Sequence, residues 1–465
     1  MSSISLLNTA KAGLFSHRTA INLTGTNITN VNTPGYTRQL PVFSSRGSID
    51  VGASVEIEKI ERVYDKFLGV QINDEMHDLG YREAKKGILE KVEIIFNESS
   101  GGGINELLNK FWSSWEDLSA NPTGQVERDV LVSASQNLAS IFRLSNDELV
   151  SVQNDANAEI AGLIDQANGY ISDIADLNNE IAAIETGKGD ANDPRDKRAE
   201  ALKGLAEIFD FQHLEDSNGS VSVFLPNGMP LVIDDRTWEL DVKTNSANSS
   251  FYDVVFQDDP LTVLNDTITK GKLAGFLEIR DDTIPNYIND LNGLAKSIID
   301  EVNDQHQLGY DIGHNLGGNF FELATGETEA TLATAAKDMQ VSSVIVADAN
   351  KVAASETVNG DGGNAEAIGA FKDSSVIISG GTSTFNSYYA SFVGKVGQDL
   401  ADEARGLDHH TNLMNQLINK REGISGVSID EEMTNLIRYQ LGYNSAAKLC
   451  NVADELIDTL LNLVR

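Results

Sequence analysis

The chain has 465 residues, 41% of them hydrophobic, and a formal net charge of −35 from 35 basic and 70 acidic residues. That length fits about three domains with real cores, and no run of eighteen apolar residues offers a membrane span. The acidity argues against sequence-independent binding to nucleic acid or an anionic membrane, and the single cysteine, Cys450, excludes an intramolecular disulfide framework.

Charge is unevenly placed. The first acidic residue is Asp50, and before it stand only Lys11, Arg18, Arg38 and Arg46; an even spread would put about seven acids there. No compact basic region leads into an apolar core, so no cleavable secretory signal is visible. An acid-poor amphipathic start also suits a mitochondrial transit peptide, but the Asn/Gly content and the turn that follows fit that poorly.

Leu7, Ala10, Leu14, His17, Ile21, Thr24, Ile28 and Val31 keep an alternating 3,4 spacing, the narrow seam of a coiled-coil-like helix. So thin a stripe is marginal alone and requires a partner helix. The helix ends in Asn27–Gln39, where Asn27, Asn30 and Asn32 lead into Pro34, Gly35 and Tyr36. Proline fixes φ, glycine accepts φ > 0, and the amides can bond local backbone or a neighbouring chain. Residues 40–60 alternate as a short hairpin or extended linker. Helical patterning runs from Glu61 to Phe96 and breaks at Ser99-Ser100-Gly101-Gly102-Gly103, a loop with no Gly-Lys-Ser/Thr to make it a phosphate cradle. A short helix over 104–118 carries Trp112 and Trp115 as packing anchors.

The strongest periodicity follows Asn121-Pro122-Thr123-Gly124. Leu131, Ser135, Leu138, Phe142, Ser145, Leu149, Val152 and Ala156 make one seam, and Ile160, Leu163, Ala167, Tyr170, Ile174, Leu177, Ile181 and Ile184 continue it after a phase slip. A helix over 126–185 spans roughly 90 Å, a length suited to a rod. Another helix covers Asp193–Phe209. Ser220–Leu225, Leu231–Ile233, Trp238–Val242 and Tyr252–Phe256 are then strand-like. Helix returns over Asp282–His306, residues 309–380 are mixed, and the Asn359–Asn364 stretch reads as a turn without the acidic spacing of a calcium loop.

From Phe385 the pattern is helical to Lys420, pauses at Gly423–Val427 and resumes at Ser428. Ile429, Met433, Leu436, Gln440, Tyr443, Ala447, Cys450, Asp454, Ile457, Leu461 and Val464 form a second 3,4 seam, widened by Leu441, Leu449, Leu456, Leu460 and Leu463. Two end helices, each with a seam and no local partner, are expected to pair. The expected fold is mainly α: a terminal coiled coil (1–60 with 421–465), a helical-bundle rod (61–210, 270–310, 370–420), a small inserted β-rich domain (211–269) and a mixed connecting segment (311–369). No Walker A, G-x-G-x-x-G, G-x-S-x-G or H-E-x-x-H motif occurs. Catalytic, cofactor and metal residues are therefore expected to be absent.

The Asn27–Gln39 stretch resembles the N-terminal signature of flagellar axial proteins. Ser425–Glu432, Asn435–Gln440 and Asp458–Leu461, with Asn386–Ala390, Gly271–Gly275 and Arg280-Asp281, are similar to the family of the first flagellar hook-associated protein, whereas Leu441-Gly442 and Lys448-Leu449-Cys450 depart from it. The resemblance implies a secreted structural subunit, exported by the type III apparatus without a cleaved signal. It implies helical homo-oligomers at the hook–filament junction, between hook protein and a second junction protein, and a cytoplasmic chaperone holding the C-terminus. On that reading Asn27, Asn30, Asn32, Pro34, Gly35 and Tyr36 form an assembly motif, and Leu7, Leu14, Ile21, Ile28, Met433, Leu436, Tyr443, Leu456 and Leu460 lie on the assembly helices. Alternatives are another axial protein (hook or distal rod), an acidic calcium-binding surface adhesin, or a hydrolase.

Overall fold

The computed structural model describes residues 3–46, 54–97, 102–187, 189–324, 333–357 and 360–463. Its spine is α4, Gln125–Thr186, 62 residues long and roughly 93 Å at 1.5 Å per residue. The first seam is buried throughout, from Leu131 to Ala156, and the second continues through Ile160, Leu163, Ala167, Ile174 and Ile181. Two hydrophobic cores share this one helix, end to end.

The first core joins the N-terminal half of α4 to α3 (Ile104–Ala120), α7 (Ile284–His306), the start of α11 (Phe385–Ser425) and the residues around Phe320–Ile378. Trp112 and Trp115 are fully buried there, against Phe385 and Phe320 with ring centroids 5.4 and 5.0 Å away. The second core joins the other half of α4 to α2 (Lys66–Ile95), α5 (Asn192–Ile208), α6 (Gly271–Glu278) and the β-rich segment.

That segment forms β3 (Gln212–Glu215), β4 (Val221–Phe224), β5 (Pro230–Ile233) and β6 (Arg236–Thr237) as one antiparallel sheet, and β7 (Leu240–Asn245) with β8 (Phe251–Phe256) as a second. It is not a separate module, as its sequence position implies. Val223, Leu231, Val232, Leu240 and Val254 lie in the same core as Ile164, Ile171 and Leu205 of the helices. Arg280 ties the two parts together. Fully buried in a π-helical turn between α6 and α7, it donates to Asn157 Oδ1 of α4 at 2.9 Å and to the Tyr252 carbonyl of β8 at 2.7 Å, and it pairs with Asp281. The expected connecting segment 311–369 is likewise part of a core, through Phe320, Phe321, Met339, Val352 and Ile368. It contains β9 (Phe321–Leu323) paired with β10 (Met339–Val341), and the short helices α8 (Ala335–Asp338), α9 (Ser343–Ala347) and α10 (Gly363–Gly369). β11 (Val376–Ile378) and β12 (Gly381–Ser383) follow as a tight hairpin. The glycine-rich break expected at 99–103 falls mostly outside the described residues.

The chain ends stand apart from both cores. α1 (Ser3–Thr29) lies along α12 (Ile429–Leu463), and the ribbon β1 (Gln39–Arg46) with β2 (Ser54–Arg62) packs beside α1. α11 runs on to Ser425, five residues past the expected stop, before Gly426 opens the link to α12.

Candidate assembly site

The two end helices are antiparallel with one stagger: Asn27 meets Glu432, His17 meets Gly442, and Gly13 meets Ala446. Apart from Ala10 and Thr24, which are buried as expected, both seams sit one residue earlier than the spacing of large aliphatics predicts. The buried face of α1 is Ala10, Gly13, Ser16, Ala20, Leu23, Thr24 and Asn27; that of α12 is Glu432, Tyr439, Ala446 and Ala453. Small residues let the helix backbones approach closely, so the bulkier side chains move to the rim. Leu7, Leu14, Ile21 and Ile28 are accordingly half-buried flankers rather than the centre of the contact. On α12, Leu436 is half-buried, while Met433, Tyr443 and Leu456 are exposed. Leu460 belongs to α12, with its side-chain surroundings outside the described residues.

At the far end of α1 the asparagine-rich turn becomes a junction of three parts of the fold. Asn27 is buried and uses its whole amide: Nδ2 donates to the Gln39 carbonyl at 2.9 Å and to Glu432 Oε2 at 3.1 Å, and Oδ1 accepts from Tyr36 Oη at 2.8 Å and Gln39 N at 3.1 Å. Asn30 closes the turn itself, donating to the Thr26 carbonyl and accepting from Thr33 Oγ1, both at 3.0 Å. Asn32 and Pro34 are exposed. Gly35 has φ +78°, a conformation that favours glycine, and a Cβ there would lie 2.4 Å from Glu200 Cγ of α5, so that side chain would have to move as well.

Residues with no motif of their own complete the junction. Arg38 Nε bonds Glu432 Oε1 at 2.8 Å and its Nη1 bonds Glu431 at 2.6 Å, while its N–H donates to the Ser425 carbonyl at 2.8 Å. Asp196 of α5 accepts from Thr37 N, from Thr37 Oγ1 and from Arg62 Nη1, at 2.9, 2.7 and 2.8 Å. Burial pushes the Asp196 carboxyl above its usual range despite those donors. Burial, and then the carboxylates of Asp193, Asp196 and Glu432, push the Tyr36 hydroxyl upward, which keeps it a neutral donor to Asn27. Gln39 Nε2 reaches Asp193 at 3.0 Å, and Ile60 N reaches Asp190 at 2.7 Å. The end helices, the ribbon and the rod are thus joined here by hydrogen bonds and ion pairs.

Among the described residues, no group of three or more His, Cys, Asp or Glu is arranged to hold a metal ion. No helix is long and apolar enough to cross a membrane, among the residues described. Cys450 is half-buried on α12.

Two family descriptions match. Residues 423–463 match the C-terminal domain of the flagellar basal body rod FlgEFG proteins, and residues 89–321 match the flagellar hook-associated protein FlgK helical domain. A chain with a C-terminal helix of the first kind behind a helical body of the second is an axial component of the flagellum. Flagellar hook-associated protein 1 of Bacillus subtilis is 28% identical over 98% of this chain and 97% of its own length. Its counterpart from Salmonella typhimurium is 25% identical over 99% and 100%. The solved flagellar hook junction protein FlgK of Burkholderia pseudomallei superposes with a TM-score of 0.68 at 16% identity, covering 76% of this chain and 100% of that one. The chain belongs to the flagellar hook-associated protein FlgK family.

Proposed function

We propose that this chain is a non-enzymatic structural subunit that joins the flexible hook to the filament and assembles through its terminal helices after type III export. The observation that carries this reading is a set of exposed aliphatic side chains along α12, outside its buried contact with α1. Met433, Ile437, Leu441, Leu449, Val452 and Leu456 are each roughly half exposed. Large aliphatic side chains left this far in water along one helix mark a surface for contact with another molecule. Neighbouring copies cover it in a helical homo-oligomer, flanked by hook protein below and a second junction protein above. During export a cytoplasmic chaperone covers the same C-terminal helix. Export in an unfolded state suits a chain without disulfides, whose ends stand outside both cores. Electron microscopy of flagella from a deletion strain tests the reading. Hooks should lack filaments, and filaments should return when this chain is restored. Normal filaments in the deletion strain would refute it.

A further inference from the structure

The central contacts of the end-helix pair form a ladder with a seven-residue step. On α12 the rungs are Glu432, Tyr439, Ala446 and Ala453; on α1 they are Asn27, Ala20 and Gly13. The observed stagger sets Asn27 against Glu432 and Gly13 against Ala446. Sliding α12 by one heptad would bring Ala453 to Gly13 and Ala446 to Ala20, again small on small, with Tyr439 facing Asn27. Shape alone therefore discriminates weakly between the two arrangements. The polar rung discriminates strongly. Glu432 is 1% exposed, and its two oxygens take one bond each from Asn27 Nδ2 and Arg38 Nε. A slip would carry Glu432 past the end of α1, about 10 Å away, and leave Arg38 and the buried Asn27 without their acceptor.

We propose that Glu432 is the positioning residue that selects the register of the α1–α12 pair, with Asn27 and Arg38 as its reading partners. A single buried polar group is a well-attested means of fixing helix register at some cost in stability. The small-residue ladder supplies close packing and leaves the choice of rung to Glu432. This assignment concerns pairing within one subunit, so it stands or falls independently of where the subunit assembles.

Disulfide trapping reads the register directly in the full-length chain. In a Cys450→Ser background, Gly13→Cys with Ala446→Cys reports the observed register, since the Cβ positions are 3.3 Å apart, near the spacing a disulfide needs. Gly13→Cys with Ala453→Cys reports the slipped register. With Glu432 present, the first pair should oxidise at least about tenfold more completely than the second, the factor expected when a charge-assisted bond is at stake. Glu432→Leu should bring the two yields together, and Glu432→Gln, which keeps one acceptor oxygen and turns an N–H toward the other donor, should keep only part of the preference. An unchanged preference in Glu432→Leu would overturn the proposal. Loss of both cross-links in that variant would also overturn it, because Glu432 would then hold the pair together rather than choose its register.

Discussion

Replacing Asn27 by alanine removes four hydrogen bonds at one buried point. It leaves the Gln39 N–H and carbonyl, the Tyr36 hydroxyl and one oxygen of Glu432 without their partner. A neutral bond contributes about 1 kcal/mol net, but each buried group left unsatisfied costs about 1–3 kcal/mol. Water entering the space offsets part of that, so a loss of about 3 kcal/mol is expected for the end-helix unit. The loss should be local, because no residue of α1 or β1 belongs to either hydrophobic core. Hydrogen exchange separates the two levels. Amides of α1 and the ribbon should exchange about a hundredfold faster in Asn27→Ala, while those of α4 keep their protection. Equal acceleration in α4 would refute the reasoning, since the junction would then be coupled to the rod core. So would a change below about tenfold in α1, which would mean the amide network contributes little.

Three further outcomes are expected. His306 is buried with Nε2 accepting from Ala353 N at 2.9 Å and Nδ1 donating to the Gly318 carbonyl at 2.7 Å; burial, with Arg128 nearby, lowers its pKa from 6.5 to about 4. The folded value lies below the unfolded one, so its contribution is complete above pH 6.5 and is lost as pH falls towards 4; that loss reaches about 3 kcal/mol. Urea unfolding across that range should show it, and His306→Gln should flatten the slope. Arg280→Met should destabilise the second core by about 2 kcal/mol, by leaving the Tyr252 carbonyl without its side-chain donor and taking one partner each from Asn157 and Asp281, as read by chemical denaturation. Removing residues 2–40, the greater part of the acid-free start, should leave the protein in the cytoplasm on fractionation of cells and medium.

The long seam of α4 was legible because its large apolar residues recur over many turns and all point one way. The seams of α1 and α12 were legible only to within one residue. Hydropathy gives weight to Leu14 and Ile21, whereas close helix contact selects Gly13 and Ala20 beside them. Spacing also located β4, β5, β7 and β8 of the β-rich segment, though not the exposed β3 or the two-residue β6, and alternation cannot say which element a strand faces. Its place in the second core therefore came only from three-dimensional packing. In the turn, Pro34, Gly35 and the asparagines announced a special conformation. The partners Arg38, Asp196 and Glu432 gave no such signal: each is an ordinary charged residue until folding brings positions 159 and 394 residues apart into contact. The acid-free start offers a faint hint, since a carboxylate for Arg38 had to come from far along the chain.

The role of the exposed aliphatic side chains of α12 as the assembly surface is tested most directly by adding purified protein to isolated hooks and following incorporation by electron microscopy. Leu456 is 46% exposed in the subunit, so covering it on assembly is worth about 1 kcal/mol per contact, and a buried aspartate there would cost more than that gain. Leu456→Asp should keep the melting temperature of the monomer nearly unchanged and fail to add to hook ends. Incorporation equal to that of the parent chain would contradict the account, as would a monomer destabilised by several kcal/mol, which would place Leu456 inside the subunit's own packing.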